Sequence, residues 1–129
     1  VTCSATGTNV LEIVNVINPV AMTKHTLTLS VSPSNVALQT PSRLVVTSAE
    51  SAVIYDATNP AAVTQLGTVP AIGGLNKSIQ SGALNGNTLY TSNADGGVAV
   101  WDIRTPASPV LQDSLLSYAN TNGVAFSHL

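Results

Sequence analysis

Residues 89–110 read LYTSNADGGVAVWDIRTPASPV. Two short apolar runs, Leu89 to Ser92 and Gly97 to Asp102, flank a polar Asn-Ala-Asp-Gly turn. Short apolar runs bounded by turn residues predict strands. The second run ends on Asp102, and Pro106 follows four residues later.

The same pattern occurs twice more upstream. Residues 51–63 read SAVIYDATNPAAV and residues 9–22 read NVLEIVNVINPVAM. Asn15, Asp56 and Asp102 align, each four residues before Pro19, Pro60 and Pro106. The prolines are 41 and then 46 residues apart. A period of this length, filled by short strands and turns, is the mark of a four-stranded propeller blade.

The middle copy parses most clearly. It gives strands over 35–39, 43–48, 52–56 and 63–69, with Pro41 and Pro60 in the turns, where a missing N–H costs no ladder bond. The third copy gives strands over 82–85, 87–92, 97–102 and 110–116. Near-continuous runs such as LVV and VAVW suit strands covered on both faces. The opening VTCSA matches LVVTS, and GVAFS at 123–127 matches the inner strand NVALQ. The expected fold is therefore all-β, a single repeat domain over 1–129. Its blades fall at approximately 1–33, 34–81 and 82–122, with 123–129 starting another.

Composition narrows the function. Hydrophobic residues make up 44% of the 129 residues, enough for a core, while charged residues make up only 8%, about a third of the usual share. The net charge is −2, and Lys24, Arg43, Lys77 and Arg104 are scattered singly. Phosphate neutralisation on a nucleic acid is not supported. No apolar run is long enough for a membrane-spanning helix. A surface rich in Ser, Thr and Asn is more frequent in secreted, cell-surface and virion proteins. Cys3 is the single cysteine, so no intrachain disulfide can form.

The run LVV-TS-x3-AVIYD-x3-P-x2-V resembles the LVIVD-repeat β-propellers. The matching positions are Leu44 to Ser48 with Ile54 to Pro60, Leu89 to Ser92 with Val100 to Pro109, and Ile13 to Pro19. Trp101-Asp102 is loosely similar to WD-type blades. The resemblance covers essentially the whole chain and implies a propeller without implying a reaction. The first copy departs from the pattern, with Asn15 for Asp and with Glu12 where the others carry Val53 and Ala99.

Propellers close with about four to eight blades. Three blades leave raw edges, and an unpaired edge strand invites another chain. One solution is a head-to-tail dimer with two-fold symmetry. The terminal strand of each chain, with Gly123, Val124, Ala125 and Phe126, would join the Val1, Thr2, Cys3 edge of its partner, in a ring of about six blades. The other solution is the remainder of a longer propeller.

No residue pattern supplies chemistry, and no catalytic, cofactor-binding or metal-ligating residue is assigned. His25 and His128 show no ligand spacing, and no Ser sits in a nucleophile elbow. Gly73-Gly74 and Asp95-Gly96-Gly97 are turn glycines, and neither opens a helix as a phosphate loop does. Asn76-Lys77-Ser78 matches a glycosylation sequon. Asn15, Asp56 and Asp102 read as turn-forming side chains. Glu12 is expected to pair with Arg43 or Arg104. Tyr55 and Trp101 read as packing residues, with carbohydrate stacking as the sharper alternative. The expected function is a non-enzymatic structural or protein-interaction module. The alternative is a fragment of a propeller enzyme, or of a ligand- or glycan-binding propeller, with its site partly in other sequence.

Overall fold

The computed structural model describes residues 2–4, 9–15, 20–39, 42–72, 78–94 and 96–116. The terminal segment with Gly123, Val124, Ala125, Phe126 and His128 lies outside them. So do Val1, Pro19, Gly73-Gly74, Asn76-Lys77 and Asp95.

Eleven strands fill the described residues, and none of these residues is helical. β1 (Thr2–Ser4), β2 (Val10–Asn15) and β3 (Thr23–Thr28) form the first sheet in that order. β4 (Asn35–Gln39), β5 (Arg43–Thr47), β6 (Ser51–Asp56) and β7 (Thr64–Pro70) form the second. β8 (Ile79–Asn85), β9 (Thr88–Asn93), β10 (Gly97–Asp102) and β11 (Val110–Leu116) form the third. Every pairing is antiparallel between consecutive strands, and no sheet closes on itself among the described residues.

The repeat reaches beyond strand order to irregularities of register. Between β6 and β7 the register slips at Ile54/Tyr55, and between β10 and β11 it slips at Val100/Trp101. These are the same positions relative to Asp56 and Asp102. The first sheet has no such bulge between β2 and β3. The β8–β9 hairpin turns through Gly86 and Asn87, with Gly86 at φ 59. A positive φ at the first of two loop residues matches the twist of flanking strands and is natural for glycine.

The strands alternate between two cores. Leu44 and Val46 of β5, with Val53 and Tyr55 of β6, pack against Leu11, Ile13 and Leu29 of the first sheet's segment. Val45, Ala52, Ile54 and Val69 pack the other way, against Ile79, Leu89, Ala99, Trp101 and Ile103. The second sheet is thus covered on both faces, so both members of each in/out pair along β5 and β6 are apolar. Each fully buried large aliphatic side chain contributes roughly 1.5–3 kcal/mol.

The sheets stack in one sense. Call forward the face that meets the following sheet, and backward the face that meets the preceding one. Leu11 and Ile13, like Ala52 and Ile54, face forward, whereas Val53 and Tyr55, like Ala99 and Trp101, face backward. Polar bonds also join the second and third sheets. Ile79 N donates to the Ala49 carbonyl at 3.2 Å, and Arg43 Nη1 donates to Asn87 Oδ1 at 3.1 Å.

Candidate functional site

The repeated Asp residues each close the turn after the third strand of a sheet. Asp56 Oδ1 accepts from Thr58 N at 2.8 Å and from Thr58 Oγ1 at 2.5 Å. Asp102 Oδ1 accepts from Arg104 N at 2.9 Å. A carboxylate bonding the backbone two residues on is an Asx-turn. Asp102 also meets the Arg104 side chain, with Oδ2 2.8 Å from Nε and 2.5 Å from Nη2. The Thr58 hydroxyl and then its N–H hold the Asp56 carboxyl below the usual range. The Arg104 side chain, then its N–H, does the same for Asp102. The following residues repeat as well. Ala57 N donates to Ser42 O at 2.7 Å, and Ile103 N donates to Asn87 O at 2.8 Å. These two Asp residues are spent on their own turns and do not converge on a shared point. The side chain of Asn15 lies outside the described set.

Glu12 pairs with Lys24, at 2.7 Å, rather than with Arg43 or Arg104. The reason is topological. Lys24 lies on the adjacent strand β3, while the two arginines are engaged by Asn87 and Asp102. His25, across from Ile13, is half-buried on the forward side of the first sheet.

Tyr55 and Trp101 are 4% and 5% exposed and sit inside the two cores. Burial pushes the Tyr55 phenol up. Trp101 Nε1 donates to Thr91 Oγ1 at 3.2 Å. Neither ring presents a face on which a sugar could stack.

The polar groups nearest the inner strands serve packing. Ser34 Oγ lies 3.1 Å from Thr47 Oγ1 and 3.4 Å from the Ile79 carbonyl. Asn93 is buried, and its Nδ2 donates to the Ile72 carbonyl while its Oδ1 has no partner. A cleft of about 260 Å³ runs past Val31, Ser32, Ser48, Ala49 and Glu50, below the usual size of a small-molecule pocket. Among the described residues no three His, Cys, Asp or Glu side chains could hold a metal ion. No helix among them is long and apolar enough to cross a membrane.

The stack itself supplies the candidate. Val69 pairs with Ala52, and Leu115 holds the same place opposite Val98. Val69 is 0% exposed, whereas Leu115 is 71% exposed. Val110 and Leu111, on the same outer strand, are also exposed. At the other end of the stack, Glu12, Val14, Lys24 and Thr26 occupy the backward side of the first sheet. In the sheets that follow, the positions of Glu12 and Val14 are held by buried Val53 and Tyr55. Of the expected edge residues, β1 carries Thr2 and Cys3 and pairs with β2 alone among the described residues.

Gly67 is legible in principle, since a glycine inside a strand signals a bulge or a close backbone approach. Thr91 and Asn93 carried no comparable signal. No family model, no curated protein and no solved structure matches the chain.

Proposed function

We propose that this chain is a non-enzymatic structural or protein-interaction module of the β-propeller type, resembling the LVIVD-repeat propellers, in an extracellular, cell-surface or virion assembly. It works by offering the end faces and edges of a sheet stack to further sheets. The observation that carries the reading is the contrast between Val69, 0% exposed, and Leu115, 71% exposed, at one repeat position. The same side chain environment is completed inside the stack and left incomplete at its end. Large aliphatic groups held on a rigid sheet face mark an interaction surface.

Two further features support it. The sheets stack in one sense, which is what a ring of about four to eight blades requires. The polar groups that repeat, Asp56 and Asp102, are consumed by turns. The sparse charge fits a surface outside the cell, and the scattered Lys and Arg give no nucleic acid a footing.

The test is the solution mass of the 129-residue chain by light scattering over a dilution series, with circular dichroism to confirm a β fold. A folded chain with a defined multiple of 13.1 kDa is expected. A folded, monodisperse 13.1 kDa monomer would overturn the reading.

A further inference from the structure

Resting on that reading, we propose that the forward face of the third sheet binds a second copy of this chain through the backward face of the copy's first sheet. The contact is heterologous, forward to backward, and not a pairing of like faces.

The two interfaces inside the chain set the rule. Leu11 and Ile13 are covered by the second sheet's Leu44, Val46, Val53 and Tyr55. Val45, Ala52, Ile54 and Val69 are covered by the third sheet's Leu89, Ala99 and Trp101. The third sheet repeats the forward pattern with Val98, Val100 and Leu115, which share one side because Val98 pairs with Leu115 and alternates with Val100. Their counterparts Ala52, Ile54 and Val69 are each 0% exposed. Val98 and Val100 are half-buried, and Leu115 is mostly open. In both internal interfaces the cover is a backward face. The backward face of the first sheet, with Val14, Thr26, Glu12 and Lys24, meets no described sheet.

Charge favours the same choice. Asp113 lies across from Val100 on the forward side, and Lys24 lies across from Val14 on the backward side, each exposed on an outer strand. Lys24 is paired with Glu12 on that same side at 2.7 Å, so forward against backward sets Asp113 against an ion pair rather than against a like charge. Forward against forward would bring Asp113 towards its own copy, and like charges disfavour such a contact. Heterologous contacts generate a ring when the rotation closes. Asp113 also holds the position of Gly67, so the closing interface cannot copy the tight Gly67 approach. It follows instead the first interface, where His25 holds that position.

The experiment is complementation. Leu115→Arg blocks the forward face and Thr26→Arg blocks the backward face. Both sites are exposed in the single chain, so each variant should retain the wild-type circular dichroism spectrum. Thr64→Arg, on the outer strand of the middle sheet, is the control. Twice 13.1 kDa is expected for the wild type and for Thr64→Arg, and 13.1 kDa for each blocking variant alone. An equimolar mixture of the two should regain twice 13.1 kDa, because one unblocked forward face then meets one unblocked backward face. An oligomeric wild type whose mass neither variant changes would overturn this inference and leave the propeller module standing. So would a mixture that stays monomeric, or a Thr26→Arg that behaves as wild type while Leu115→Arg dissociates, which would mean like faces pair. A folded wild-type monomer would overturn both.

Discussion

Gly67 of β7 approaches the Pro106 carbonyl so closely that a Cβ on Gly67 would overlap it. The contact joins the outer strand of the second sheet to the turn after β10. It fixes how near the two sheets sit. The obstacle is backbone, not the end of a flexible side chain, so relief requires one sheet to move. Gly67→Ala should therefore destabilise the fold by about 1–3 kcal/mol, the usual cost of overpacking. Gly86→Ala tests the other glycine mechanism. Nothing lies within 4 Å of a Cβ there, but φ is 59, so the cost is backbone strain of roughly 1–2 kcal/mol. Urea unfolding of both variants checks this, and a neutral Gly67→Ala would refute the close approach.

Ile54 lies at 0% exposure in the core between the second and third sheets. Ile54→Ala should cost about 2–5 kcal/mol by lost burial and the cavity left behind. Met22→Ala, at a residue 60% exposed, should stay within about 0.5 kcal/mol. Thermal unfolding of the two variants measures the contrast.

Thr91 is 1% exposed and is the acceptor for Trp101 Nε1. Thr91→Val keeps the shape and removes the acceptor, leaving a buried indole N–H unsatisfied. The expected loss is about 1–3 kcal/mol. Trp101 is the single tryptophan, so its fluorescence follows unfolding of this core directly. A Thr91→Val variant as stable as the wild type would mean that the indole bonds elsewhere.

Asp56 and Asp102 both titrate below the ordinary carboxylate value of about 3.9. A depressed folded pKa means that the unfolded chain binds more protons on acidification. The stabilisation is therefore fully present above the ordinary value. It is lost as pH falls through the lowered folded values. Arg104→Gln should raise the Asp102 pKa towards the ordinary value while leaving Asp56 in place. Thr58→Val should do the reverse. Carboxyl NMR titration of the two variants separates the effects, and an unchanged Asp102 pKa in Arg104→Gln would contradict the assigned cause.

The strands were largely legible because their limits are written in local chemistry. β4 and β10 fall on the residues that the sequence marks, and β5 and β6 differ at one end by a single residue. The third sheet's first strand begins at Ile79, ahead of the expected Gly82, because a bulge between Ile79 and Ser81, with Gln80 as its extra residue, interrupts the pattern. The aligned Asp and Pro residues also located the turns. The partner of Glu12 was not legible, since it depends on which strand lies beside β2.

By itself, then, the sequence determined that the chain is built of short strands joined by turns, with Asp56 and Asp102 ending equivalent ones. These features rest on interactions within a few residues: apolar runs, proline-bearing turns and side chains that bond the backbone two residues on. Only the tertiary structure decided which face each apolar residue serves. Where both faces of a sheet are buried, alternation disappears from the sequence, and LVV reads the same in either orientation. Tertiary packing alone placed Gly67 against Pro106 and separated buried Val69 from open Leu115. Val69 and Leu115, at one repeat position, are similar in kind, and what differs is whether another sheet lies across them.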